Sequence, residues 1–306
     1  MPKPKDISVN ERDFVLGLLQ QDQARLDGRG FEEFRDVEIE FGSSLGHVEV
    51  KLGRTKLVVR ISAEVTKPYE DRPYEGIFLI TTDISAMASP LFENNRQSDE
   101  EMLVSRLIEK AIRRSNALDL ESLCINAGKT CWMIRADVHY LDYDGGLVDG
   151  TCIGVIAALL HFKRNDTSID GDKTIIHPIE ERPPVPLSVL HVPICVTFSF
   201  FKKQQSSEND DDNDDDDAMI LVDSTADEEA LRHSEMTITV NKNRDVCQIL
   251  KPGGQSIEAL SIMHCTNLAY NIALEMTNLI YKRLKEDDAQ RNAGNLAVEL
   301  SAENER

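Results

Sequence analysis

Residues 140–162 read YLDYDGGLVDGTCIGVIAALLHF and contain, in one run, the end of a strand, a tight turn and an apolar helix. Three aspartates flank the Gly-Gly turn: Asp142, Asp144 and Asp149. A turn before a helix N-terminus can offer backbone N–H groups and a positive dipole end to an anion. The residues after the turn, Leu147 and Val148, are apolar and the next is acidic. The local chemistry therefore favours a structural strand-to-helix turn with Asp as its cap.

Strands and helices on either side of this run follow an α+β order rather than strict βαβ alternation. A capping box at Ser8 predicts an N-terminal helix. Alternating residues predict strand hairpins around Gly53 and Gly128, with a helix over residues 99–115 between them. The second half repeats the theme with a buried strand, a strand pair and a long amphipathic helix from about residue 257 to 286. We expect two similar halves that share one core.

Four segments follow from this pattern. They are an N-terminal helix and turn (1–30), a first half (31–190), a second half (191–285) that carries an acidic insertion (203–232), and a C-terminal tail (286–306). Between Ser206 and Arg232 lie twelve acidic residues and one basic residue, so this stretch supplies −11 of the net charge of −20. The rest of the chain is only mildly acidic and leaves room for local basic faces.

The acidic insertion is predicted to be disordered, because its aspartates cannot bury apolar surface and repel one another. A calcium loop is the alternative. The run lacks the glycine and the final glutamate that shape an EF-hand loop. A third possibility is an adaptor segment, in which Asp210–Asp217 docks basic partners.

The bulk composition indicates a soluble, intracellular globular protein. The hydrophobic fraction is 41%, no apolar run is long enough to span a membrane, and the N-terminus lacks the apolar core of a secretory signal. Six cysteines without C-x-x-C spacing predict buried free thiols rather than a disulfide framework or zinc site. We expect no metal and no cofactor.

The helix predicted over residues 99–115 has one cationic face. Its members are Arg106, Lys110, Arg113 and Arg114, opposite a face of apolar residues. This row is either an ordinary solvated face or a surface that contacts phosphates, for which the planar fork of arginine is well suited. Elsewhere there is no G-x-S-x-G, H-E-x-x-H, Walker A or dinucleotide motif. The sequence motifs thus favour binding over catalysis.

Several motifs occur together in one order. They are RLDGR, LGRTKLVVRI, YEDRPYEG, SRLIEKAIRRSNALDLESLCI, LDYDGGLVDGTCIGVIAALL and HPIEERPPVPLSVLHVPICVTFSFF. Over about residues 8–285 the chain resembles the RNase PH family, and more narrowly the eukaryotic RNA exosome ring subunits of the non-catalytic, polymyositis/scleroderma autoantigen type. The resemblance implies an α+β, RNase PH-like fold (ribosomal protein S5 domain 2-like), with two sheet-and-helix halves packed as one domain.

The resemblance also implies which residues to compare. Catalytic members use phosphate to attack the 3′-terminal RNA linkage, and they hold it with a Ser/Thr-Arg pair directly after the Asp-Gly-Gly-like turn. Leu147 and Val148 stand at those positions. Catalytic members also carry an aspartate that acts as acid or metal ligand, and His191 stands at its position. Without a cation for phosphate or a carboxylate at the acid position, the charge stabilisation of phosphoryl transfer is missing. We therefore expect no enzyme, with an active phosphorolytic 3′–5′ exoribonuclease as the alternative.

As a ring subunit, the chain is expected to guide single-stranded RNA for degradation and rRNA processing. The resemblance points Arg106, Lys110 and Arg113 toward the RNA path, with Arg114 beside them. It implies a hetero-hexameric ring with a catalytic-type partner, S1/KH cap proteins and a separate hydrolytic exoribonuclease. It also implies residence in the nucleus, including the nucleolus, and in the cytoplasm, without membrane attachment.

Overall fold

Two sheets pack on one buried helix in the computed structural model, which describes residues 7–93, 97–170, 173–178, 181–202, 218–254 and 256–303. The first sheet has the order β1-β2-β3-β6-β4, with β5 paired to the start of β6. All its pairings are antiparallel except β4 with β6. Its strands are β1 Val37–Phe41, β2 His47–Leu52, β3 Thr55–Thr66, β4 Ile77–Ile84, β5 Cys124–Asn126 and β6 Thr130–Asp142. The predicted hairpins at Gly53 and Gly128 are confirmed, and both glycines have positive φ.

Four short strands form two small two-stranded sheets outside this sheet. β7 (Lys163–Arg164) pairs with β10 (Val185–Pro186), and β8 (Thr167–Asp170) pairs with β9 (Lys173–Ile176). The second large sheet is antiparallel with the order β12-β11-β13-β14. Its strands are β11 Ile194–Lys202, β12 Ala218–Val222, β13 Ser234–Val240 and β14 Val246–Leu250.

Helix α3 (Leu147–His161) is the centre of the molecule. It contacts β2 and β3 of the first sheet and β11 of the second, and nearly all its side chains are buried. A helix that is apolar on every side belongs in a core. Gly150 and Gly154 lie one turn apart, where an added Cβ would come within 2.9 Å of Leu57. Their small size lets the helix approach β3, and residues of both halves form one hydrophobic cluster. The predicted α+β class with two halves and one shared core is confirmed.

The remaining helices cover the outside of the sheets. They are α1 Val9–Gly17, α2 Asp99–Glu109, which continues through a wider turn at Lys110–Arg114, α4 Ala226–Leu231 and α5 Ala259–Glu303. The capping box predicted at Ser8 is present, and a second one at Ser98 starts α2. Helix α2 packs against β4, and α5 packs against β11 and β13.

Two predicted segments are corrected by the structure. Disorder over 203–232 is wrong for residues 218–232, because β12 pairs with β11 and α4 follows it, whereas residues 203–217 lie outside the described residues. The tail predicted at 286–306 continues helix α5 as far as Glu303. No proline interrupts this stretch, and Arg291 donates to the carbonyl of Ser43 at 3.0 Å, which anchors the helix near β1.

Candidate functional site

The Gly145-Gly146 turn is pressed against the connection between β12 and α4. Both glycines have positive φ, 76° and 69°. An added Cβ on Gly145 would lie 2.6 Å from the carbonyl oxygen of Ser224. Only glycine combines this backbone conformation with so close an approach. The turn thus brings the start of α3 against residues that sequence analysis had assigned to a disordered insertion.

The three aspartates around the turn do not converge on one site. Asp142 is exposed and accepts the N–H of Tyr143, while the N–H of Asp144 donates to Thr55 Oγ1 at 3.0 Å. Asp149 is fully buried and accepts from the backbone N–H of Thr197 at 3.0 Å and from its hydroxyl at 2.8 Å. Burial, and then repulsion from Asp223, raise the pKa of Asp149 to about 8. Asp149 thereby joins α3 to β11. The predicted aspartate cap is wrong, because the N-cap residue of α3 is Gly146 and no side chain caps the helix from that position.

Leu147 and Val148 line a cavity of about 120 Å³ at the N-terminus of α3. The apolar part of the wall comes mainly from α2 and from these two residues. The charged groups of the lining are Glu100, Glu229, Arg232 and Glu235. Three carboxylates thus face one guanidinium, and Arg232 is itself paired with Glu235. The cavity is acidic, which is the opposite of what a phosphate site needs.

Glu229 of α4 holds the amide at the start of α3. Its Oε1 accepts the N–H of Gly146 at 3.0 Å, and its Oε2 accepts the hydroxyl of Tyr143 at 3.1 Å. Burial raises the pKa of Glu229, and the nearby Arg232 opposes that rise. Burial also raises the pKa of Tyr143, so its hydroxyl keeps its proton and donates. Glu229 is 83 positions from Gly146 and 86 positions from Tyr143, yet it contacts both at the start of α3.

A buried ion-pair network fixes α4 and β12 in this place. Asp223, with no exposed side-chain surface, accepts from Arg35 Nε at 2.7 Å and Nη2 at 2.6 Å, and from Arg29 Nη1 at 3.2 Å. Arg25 makes a paired contact with Glu228 at 3.0 and 2.6 Å. Arg25 and Arg29 belong to the RLDGR motif, so that motif acts by clamping residues 222–228.

His191 is not brought to this cavity. Its Nε2–H donates to the carbonyl of Ser115 at 2.8 Å, at the end of the turn that follows α2. The carboxylates that line the cavity with Leu147 and Val148 come instead from α2, α4 and β13. His191 is therefore not among the residues that line the cavity, and its assignment as the position of the missing acid stays a prediction. What the site lacks is an unpaired cation among the described residues that line it.

The cationic row on α2 is at the surface. Arg106 is 78% exposed and Arg113 is 35% exposed, and Lys110 and Arg114 are also exposed. Glu109 lies between them, 3.6 Å from Arg106 and 3.3 Å from Arg113. Such exposed pairs are weak and give way readily to other anions. Arg106 and Arg113 thus lie on either side of Glu109, and Lys110 and Arg114 are exposed in the same stretch of helix.

Sequence reasoning missed Asp223 and Glu229 because it assigned both to the insertion. A usable signal was present, since ILV before Asp223 is apolar and Thr225-Ala-Asp-Glu228 has the spacing of a capping box. That box is formed in the structure. The strand and helix could have been predicted from it, but their contact with Gly146 could not.

Other predicted absences concern metals and membranes. All six cysteines are free thiols, but the predicted burial holds only for Cys131, Cys152, Cys195 and Cys265, whereas Cys124 and Cys247 are partly exposed. Over the described ranges, no group of His, Cys, Asp and Glu side chains is arranged to hold a metal ion. No helix in that part of the chain is both long and apolar enough to cross a bilayer.

Two sheets packed on a central helix that begins at a Gly-Gly turn are the arrangement expected of an RNase PH-like protein. Residues 33–165 match the family described as 3′ exoribonuclease family, domain 1, and residues 191–272 match domain 2. The exosome complex component RRP45 of Saccharomyces cerevisiae is 50% identical, over 100% of this chain and 99% of its own. The Schizosaccharomyces pombe protein of that name is 48% identical over 100% of both chains.

A solved structure agrees with these sequence relatives. A chain of the Archaeoglobus fulgidus exosome with RNA bound to the active site is 30% identical, with a TM-score of 0.72, over 87% of this chain and 96% of that one. The chain therefore belongs to the 3′ exoribonuclease (RNase PH) family, as its motifs predicted.

Proposed function

We propose that this chain is a non-catalytic ring subunit of an RNA exosome, which guides single-stranded RNA toward 3′–5′ degradation and processing. Membership of a ring is supported by full-length relatives named exosome complex component and by a structural neighbour that is an exosome chain. The non-catalytic assignment rests on the cavity after the Gly-Gly turn. Apolar Leu147 and Val148 line it together with Glu229, which accepts the Gly146 N–H.

Electrostatics argues against phosphate attack at this place. Inorganic phosphate carries more than one negative charge near neutral pH. A carboxylate about 4 Å from one such charge costs about 4 kcal/mol at an effective dielectric constant of about 20. Glu100, Glu229 and Glu235 face the cavity, and Arg232 is occupied by Glu235. Phosphoryl transfer depends on positioned positive charge, and this cavity offers the reverse.

The cationic row on α2 is the proposed RNA contact. Arg106, Lys110, Arg113 and Arg114 are accessible and share one face. Contacts from such side chains to phosphates position a strand without reading its bases. We therefore infer that this subunit binds RNA independently of sequence, and that an acidic chain needs only this local positive surface for the task.

A direct assay tests the non-catalytic assignment. The full-length chain is incubated with single-stranded RNA and a series of inorganic phosphate concentrations, and nucleoside diphosphates are measured by chromatography. No release is expected at any phosphate concentration. Release that rises with phosphate would instead establish the alternative, an active phosphorolytic exoribonuclease.

Charge reversal tests the cationic row. Arg106→Glu with Arg113→Glu should weaken protection of RNA by the assembled ring, while assembly measured by gel filtration is unchanged. Loss of two phosphate contacts on a single strand should reduce the slope of log affinity against log salt by about 1.4. Lys282→Glu with Arg283→Glu changes the net charge equally, on the exposed side of α5, and is the control. Equal effects of the two pairs would refute the assignment.

The proposal extends to partners and location. The partners are a catalytic-type subunit in a hetero-hexameric ring, S1/KH cap proteins and a hydrolytic exoribonuclease, and the location is the nucleus, including the nucleolus, and the cytoplasm. Co-purification of the tagged chain and imaging of a fluorescent fusion test these points. The adaptor hypothesis for Asp210–Asp217, which lie outside the described residues, is tested by deleting the run. Loss of partner binding on deletion would favour it.

A further inference from the structure

Helix α3 begins without a capping side chain of its own. Its N-cap residue is Gly146, which has none to offer. The first N–H groups of any helix lack intrahelical partners, and with the helix dipole they favour a negative charge. In this chain the charge is supplied from a distant part of the sequence, because Glu229 Oε1 accepts the Gly146 N–H at 3.0 Å.

The Glu229 carboxylate is held as a bound anion would be held. Tyr143 donates to its second oxygen at 3.1 Å, and Arg232 Nη1 lies 3.8 Å from its first. Its side chain is only 17% exposed. Charge-assisted hydrogen bonds of this kind are stronger than neutral ones. Each oxygen thus has a defined donor, and the carboxylate is positioned rather than mobile.

Its backbone is equally constrained. Glu229 follows Glu228, which is fully buried and paired with Arg25, and the capping box of α4 fixes the turn before it. An added Cβ on Gly145 would collide with the backbone of the same connection. Helix α4 therefore cannot rotate the carboxylate away from Gly146 without breaking buried contacts.

We propose that the Glu229 carboxylate occupies the N-terminus of α3 and thereby excludes inorganic phosphate from it. The inference deepens the proposed function, since it gives the non-catalytic state a specific residue. Because Leu147 and Val148 replace a Ser/Thr-Arg pair, the site has lost the groups that would attract phosphate. Glu229 in addition fills the place at the N-terminus of α3 that phosphate would take. Restoring a cation alone would leave the helix end filled.

Removal of the carboxylate together with addition of a cation tests this. Val148→Arg with Glu229→Ala should bind inorganic phosphate, and its unfolding temperature should rise by on the order of 2 °C when phosphate exceeds Kd about tenfold. The wild-type chain and Val148→Arg alone should show no rise beyond that of potassium chloride at equal ionic strength. Val148→Arg with Glu100→Ala is the matched control, because it removes from the same cavity a carboxylate that does not hold the Gly146 amide. An equal rise in this control, or no rise in the folded double variant that lacks Glu229, would overturn the proposal.

The Gly146 amide gives a second readout that does not depend on the alanine variant. In the wild-type chain its NMR resonance should stay in place as phosphate is added. In Glu229→Gln, whose side chain is of nearly equal size, the Gly146 amide proton should resonate upfield of its wild-type position, because a neutral acceptor replaces a charged one. A shift of the wild-type resonance on adding phosphate, or an unchanged resonance position in Glu229→Gln relative to the wild type, contradicts the proposal. Neither measurement involves RNA or ring partners, so failure here leaves the proposed function intact.

Discussion

Replacement of Asp223 by Asn should destabilise the whole protein, although this residue lies in a segment that looks dispensable in the sequence. Asp223 has no exposed side-chain surface, and it neutralises Arg35, which is only 6% exposed. Arg35 donates to it through Nε at 2.7 Å, through Nη2 at 2.6 Å and through its backbone N–H at 3.0 Å. An asparagine would keep the shape, but its NH₂ group would face a donor and the guanidinium would lose its counter-charge.

The expected loss is large because the pair is buried. Removing one partner of a buried ion pair costs about 3–5 kcal/mol, since an uncompensated charge remains. At roughly 2–4 °C per kcal/mol, the unfolding temperature should fall by roughly 6–20 °C. Urea unfolding followed by the fluorescence of Trp132, the only tryptophan and a buried one, measures the change in free energy.

An exposed ion pair supplies the control. Asp166 lies 2.8 Å from Arg182, with side chains 34% and 48% exposed. Asp166→Asn should cause a much smaller loss, because surface pairs contribute little. If Asp223→Asn were no less stable than Asp166→Asn, β12 and α4 would not be integral to the fold, and the reasoning about this network would be refuted.

Two further predictions concern α3. Asp149 keeps a pKa near 8 in the folded state against about 4 when unfolded, so between these values the folded state binds the extra proton and stability falls as pH rises. Asp149→Asn should therefore show a shallower fall of unfolding free energy from about pH 5 to 8, and parallel curves for the two proteins would contradict this. Gly154→Ala should cost about 1–3 kcal/mol, because its Cβ would meet side chains of β3 at 2.8 and 2.9 Å. Gly17→Ala, which meets open space, should leave the urea midpoint unchanged or raise it.

Local signals were sufficient for most of the elements. Alternation and turn glycines predicted the hairpins at Gly53 and Gly128, and capping residues predicted the start of α1. The largely apolar run after Gly146 predicted a helix. These features depend on residues that are neighbours along the chain, so their physics is visible in the sequence.

Charge composition was misleading over the acidic segment. The aspartate run dominated its average, and β12 and α4, which follow directly, were assigned to the same insertion. Their apolar and capping residues were present in the sequence, but their main stabilisation comes from Arg25, Arg29 and Arg35, about 190 to 200 positions away. The average charge of the segment does not include the stabilisation by these distant arginines.

The amino-acid sequence by itself determined the secondary structure around the Gly-Gly turn, the cationic row on α2 and the absence of a phosphate-holding pair at Leu147 and Val148. Only the tertiary structure decided what occupies the end of α3. Glu229 reaches Gly146 because buried ion pairs fix α4 against the turn, and such pairing depends on distances in space rather than on spacing along the chain.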